Sequence, residues 1–96
     1  MSQVRVLDEH DVRRLLPMAD CIEAMDGALR SLARGQVYNP LRPVFRPPNQ
    51  PSLMGLMPAH RGGERPLFSL KAVCIFPGNP ARGLDAHQGT VTLFDG

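Results

Sequence analysis

Apolar positions recur at helical spacing up to Gly35 and at strand spacing after it. Ile22, Met25, Leu29 and Leu32 fall at i, i+3, i+7 and i+10, one stripe of a helix. Asp20, Glu23 and Asp26 precede Arg30 and Arg34, an order that suits the helix dipole. Pro17 fits the first turn and Gly35 the C-terminal stop, so the pattern predicts a helix from Pro17 to Gly35. Cys21 and the methionines of the stripe read as core. Ahead of this helix, Asp8 is a good N-cap and Asp11 a short-armed capping-box acid. They predict a brief helix through Leu15 and Leu16, ended by Pro17. Val4 and Val6 alternate weakly, which predicts a short first strand over residues 3–7.

Beyond Gly35, Pro40, Pro43, Pro47, Pro48 and Pro51 exclude helix. Leu41, Val44 and Phe45 favour an extended or edge segment, which carries Arg42 and Arg46. Proline fixes its own φ, so such a segment places an arginine at small ordering cost. Ser52 to Ala59 reads as a strand in which Gly55 allows close backbone approach, and residues 60–66 read as a hairpin loop with His60 exposed on it. Leu67 to Phe76 is the strongest strand. Phe68, Leu70, Ala72, Cys74 and Phe76 make a fully apolar face, and Ser69, Lys71, Val73 and Ile75 make the other. A turn-rich loop over 77–85 leads to a last strand over 88–94. Asp95-Gly96 is a hairpin-turn signal with no returning strand, so the chain is expected to be truncated.

Composition narrows the class. Ninety-six residues, 43% of them apolar, suffice for one domain around a modest core and exclude general disorder. No apolar run reaches the roughly 20 residues of a membrane helix. Acidic residues in M-S-Q-V-R-V-L-D-E-H stand where a signal peptide is apolar. Cys21 and Cys74 lack metal-ligand spacing, so two free thiols in a reducing, cytoplasmic setting and no metal site are expected. A net charge of +2, scattered aromatics and no reading motif argue against nucleic acid. The charge is uneven. Residues 1–35 hold six acids and five bases, whereas residues 36–84 hold six bases and only Glu64 as an acid. The second segment favours an anionic ligand, though any one arginine there also reads as solvated surface.

The candidate chemistry gathers between Lys71 and Gly89. The chain's single lysine lies in an apolar strand, a rigid loop follows, and Asp85, His87 and Gln88 close it. Lys71 reads either as a snorkelling surface lysine or as a lysine in a lined pocket that pairs with a carboxylate.

The segments G-L-M-P-A-H (55–60), Lys71, F-P-G-N-P-A-R-G-L (76–84) and H-Q-G-T-V-T-L-F-D (87–95) resemble the ornithine cyclodeaminase/mu-crystallin family. Met57-Pro58, Lys71, Pro77-x-Asn79, Gly83-Leu84 and His87-Gln88 occur in family order, and the helix up to Gly35 looks like the family's N-terminal helix. The resemblance implies an N-terminal substrate-binding and dimerisation domain, about the first third of a protein on the order of 300 residues. A Rossmann domain binding NAD or NADP would follow, since no G-x-G-x-x-G is present here. It also implies an assisting aspartate and a further substrate arginine beyond Gly96.

Carried over by position, Arg42 in P-L-R-P matches the arginine that grips the substrate carboxylate, with Arg46 a near alternative. Lys71 matches the lysine that contacts the same substrate and is the catalytic candidate. His87 and Gln88 match a segment that lines or supports the pocket. Ala86 stands where a serine or threonine is common, and Gly55 where the ornithine-specific enzymes carry glutamate. The resemblance therefore leans toward a reductase or dehydrogenase of a small imino or amino acid, with cyclodeamination as a variant. The alternative is a non-catalytic module for dimerisation or small-ligand binding. The expected fold is α+β, with one or two N-terminal helices packed on a mostly antiparallel sheet over residues near 40–46, 52–59, 67–76 and 88–94. A homodimer is expected. The 96 residues alone are expected neither to bind NAD(P) nor to turn over.

Overall fold

The structure is a computed structural model and describes residues 3–95. The chain divides into two compact units between Arg34 and Gly35. The first unit is helical. Helix α1 (Glu9–Leu15) starts at a reciprocal capping box, in which the Asp11 N–H donates to Asp8 Oδ1 at 2.9 Å and the Asp8 N–H to Asp11 Oδ2 at 3.0 Å. Helix α2 (Met18–Ala33) starts directly after Pro17, which serves as its N-cap. It ends before Gly35, whose φ of 74° suits a residue without a Cβ. Residues 3–7 form no strand. Alternation makes a strand only where a second strand can accept its hydrogen bonds, and Val4 and Val6 have none.

The second unit is a five-stranded antiparallel sheet. Its strands are β1 (Val37–Tyr38), β2 (Val44–Phe45), β3 (Leu53–Arg61), β4 (Leu67–Ile75) and β5 (His87–Asp95). β3, β4 and β5 form a meander. β1 and β2 share the outer side of β3, β1 against His60 and Arg61 and β2 against Met54 and Gly55. The prolines around β2 confine it to two residues at the edge, as their missing N–H groups require. β1 was not expected, and it exists through its pairing with the end of β3. That pairing also corrects the reading of residue 60 as a loop. His60 lies within β3, its ring 4.6 Å from that of its cross-strand neighbour Phe68. His87 likewise belongs to β5 rather than to the preceding loop. The turn expected at Asp95-Gly96 lies partly outside the described residues.

The α+β class holds, with every strand pair antiparallel. Neither unit by itself encloses the modest core expected of one domain. Among the described residues no hydrophobic side chain is buried, and Gly55 is the one buried residue. Phe68, on the face expected to be the main core, is 62% exposed.

Candidate functional site

Register decides which side chains share a face of the sheet, because directly opposed residues project to the same side. Lys71 on β4 stands between Met57 on β3 and Val91 on β5. The adjoining row on that face is Gly55, Val73 and Gly89. Only its middle member carries a side chain, so the sheet is shallow beside Lys71. The row on the other side is Ala59, Ser69 and Leu93, of which only Leu93 is large. Lys71 is exposed, Met57 half-buried. Among the described residues no carboxylate pairs with Lys71. A cation above a shallow floor is open to an anionic ligand of small size.

Arg42 reaches this row from outside the strands. The Leu56 N–H donates to the carbonyl of Pro43 at 3.1 Å, which fixes the backbone next to Arg42 beside Met57. From there Arg42 Nη1 lies 3.7 Å from Met57 Sδ. Met57 thus touches one cation and stands opposite the other. Arg46 makes no side-chain hydrogen bond or ion pair among the described residues, and nothing in the structure links it to this row.

His87 and Gln88 are placed differently. His87 pairs with Ile75, four residues along β4 from Lys71 and on the same face, a separation of about 13 Å at strand rise. Gln88 pairs with Cys74, so its register position is on the opposite face. Its amide donates to the Asp85 carbonyl at 3.1 Å, and Asn79 Nδ2 donates to the same oxygen at 3.0 Å. Further bonds from Leu84 N–H to Asn79 and from Phe76 N–H to Ala86 close the loop on itself. A 3-10 turn (Pro80–Arg82) and Gly83 at φ 75° complete it. Gln88 therefore braces the loop, and the structure groups Arg42, Met57 and Lys71 apart from it.

Two participants were not legible as such in the sequence. Met57 stood out only as part of a motif, and its place opposite Lys71 follows from the β3–β4 register. Gly89 is the position of close approach: a Cβ there would lie 2.4 Å from the Ala72 carbonyl oxygen. At Gly55, where close approach was expected, a Cβ would meet only Val73 Cγ1 at 3.7 Å, an ordinary contact. A dinucleotide cradle needs a strand, a glycine-rich turn and a helix in a parallel crossover. The described sheet is antiparallel throughout and its connections supply no such turn, so these residues do not form such a cradle. Among them no cluster of metal-ligating side chains occurs and no helix is long and apolar enough to cross a membrane.

Comparison with known proteins places this arrangement in context. The ornithine cyclodeaminase/mu-crystallin family matches over residues 2–96. A Delta(1)-pyrroline-2-carboxylate/Delta(1)-piperideine-2-carboxylate reductase from Azospirillum brasilense is 33% identical over 95 residues, covering 99% of this chain and 29% of that protein. The structure is similar to that of Thermococcus litoralis Delta(1)-pyrroline-2-carboxylate reductase in complex with NADH and L-proline. That match has a TM-score of 0.80 and 26% identity, and covers 93% of this chain and 27% of that one. The chain therefore spans less than a third of the length of these relatives.

Proposed function

The chain belongs to the ornithine cyclodeaminase/mu-crystallin family, and from that premise we propose that it is the substrate-gripping part of an NAD(P)-dependent reductase of a small cyclic imino acid. Δ1-Pyrroline-2-carboxylate is the first candidate, on the strength of the two relatives. The observation that carries the reading is the grouping of Arg42 and Lys71 around Met57 over a shallow stretch of sheet. A planar guanidinium matches a carboxylate with two parallel hydrogen bonds. Lys71 supplies a second cation that donates a hydrogen bond or a proton to the ring nitrogen as negative charge gathers there. Gly55 and Gly89 beside Lys71 leave the sheet low there, where a small ring can lie. The dinucleotide supplies the hydride when bound. Its cradle belongs to the rest of the protein, and the 96-residue chain alone is inactive.

The test uses the full-length protein and follows NAD(P)H absorbance with Δ1-pyrroline-2-carboxylate. Arg42→Ala is expected to lower kcat/KM about 10- to 100-fold, the worth of a charged hydrogen-bonded contact. Lys71→Ala is expected to cost at least as much, with a larger share in kcat, and Arg46→Ala to leave both constants near wild type. Wild-type activity that survives Lys71→Ala would remove the lysine from the mechanism. Absence of any imine-dependent NAD(P)H consumption would favour the module that binds a ligand without turnover. Homodimerisation in the reducing cytoplasm completes the proposal. It is supported by the absence of buried hydrophobic side chains among the described residues, and sedimentation equilibrium that gives a monomer would reject it.

A further inference from the structure

We infer that Met57 is a positioning residue for Arg42, holding its guanidinium beside Lys71 through the thioether sulfur without neutralising it. The inference rests on the reading of Arg42 and Lys71 as substrate groups. The contact itself is a donor from Arg42 Nη1 to Met57 Sδ at 3.7 Å, and it is the one side-chain hydrogen bond Arg42 makes among the described residues. The exposed guanidinium is otherwise unrestrained beyond its anchored backbone, since the neighbouring Pro43 carbonyl is tied to Leu56 N–H. A free arginine side chain loses up to about 2 kcal/mol of rotamer entropy when a ligand immobilises it, so restraint before binding favours affinity.

Sulfur suits this task for a chemical reason. A carboxylate at position 57 would hold the arginine more firmly, yet it would occupy the fork and cancel the charge a substrate carboxylate needs. A thioether is a weak, neutral acceptor that uses one of five N–H donors. It leaves the cation uncompensated and the remaining donors available. The strand register adds the second half of the argument, because Met57 is directly opposed to Lys71. Cβ atoms of opposed residues lie about 5 Å apart. The same methionine therefore stands between the positions that carry the two cations and offers an apolar surface for the body of a ligand whose carboxylate sits on Arg42.

The experiment compares Met57→Leu, which keeps volume and removes the acceptor, with Met57→Gln, which restores a neutral acceptor. In the full-length protein, water exchange of the Arg42 side-chain N–H groups is measured by 15N NMR, and KM and kcat are measured with Δ1-pyrroline-2-carboxylate. Met57→Leu is expected to speed the exchange severalfold and raise KM about three- to tenfold with kcat within twofold of wild type. Met57→Gln is expected to restore most of both. Unchanged exchange in Met57→Leu overturns the inference whatever the enzyme does. Equal impairment in Leu and Gln variants overturns it in favour of simple packing. If exchange responds but Arg42→Ala leaves turnover intact or the wild type is inactive, the contact stands, the substrate reading fails, and the positioning role fails with it.

Discussion

The helical unit and the sheet unit owe their order to interactions of different range. In α1 and α2 every side-chain bond closes within four residues. Asp8 caps Asp11, Glu9 pairs with Arg13, and Asp26 pairs with Arg30. In the sheet, Val37 finds Arg61 and Leu67 finds Asp95. The candidate site depends on the second kind of order, because Met57 meets Lys71 only when β3 and β4 are in register. Loss of a helix bond should therefore be felt within about a turn along the helix, and a change in the sheet across neighbouring strands.

The largest effect expected from this contrast is at Gly89. A Cβ there meets the Ala72 carbonyl oxygen at 2.4 Å and Val73 Cα at 3.0 Å. Both are backbone atoms, so no rotamer can swing away, and β4 and β5 must separate locally. Gly89→Ala should destabilise the full-length protein by about 1–3 kcal/mol, as overpacking does, seen as a lower urea midpoint. It should also raise KM, because Gly89 lies in the row next to Lys71. Gly55→Ala is the control within the same row. Its Cβ would sit 3.7 Å from Val73 Cγ1, and stability should change by less than about 0.5 kcal/mol. Equal stability of the two variants would contradict the close approach at Gly89.

The middle of the scale tests the helical unit. Asp8→Ala removes one half of the capping box and should cost about 1 kcal/mol. Amide exchange should rise within residues 9–15. Asp8→Asn, which retains a capping oxygen, should recover most of the loss. Unchanged exchange within residues 9–15 would show that the capping box does not hold the start of α1.

The same difference of range explains what the sequence disclosed. The start of α1 at Asp8 and the end of α2 before Gly35 were legible because their signals lie within one helical turn. β4 was legible from its own apolar pattern. β1 was not, since Val37-Tyr38 carries no pattern and becomes a strand only by meeting His60 and Arg61. Residues 3–7 failed in the opposite way, with a pattern and no partner. The candidate site was half legible. Lys71 and Arg42 could be singled out by residue type and motif. That Met57 joins them, and that Gln88 spends its amide on the Asp85 carbonyl, required the register and the loop geometry.

The smallest expected effect is at the Asp26–Arg30 pair. Arg30 Nε lies 3.0 Å from Asp26 Oδ2, yet the two side chains are 66% and 62% exposed. Water screens their attraction, and fixing two flexible chains costs entropy, so an i,i+4 pair of this kind contributes about 0.3–0.5 kcal/mol. Asp26 lies past the first turn of α2, so its removal leaves the dipole interaction of Asp20 in place. Asp26→Asn should therefore shift the urea midpoint barely beyond error, and high salt should erase even that difference. A loss above about 1 kcal/mol, persisting in salt, would mean that Asp26 has a partner outside its own helix in the whole protein. The order of α2 would then not be purely local.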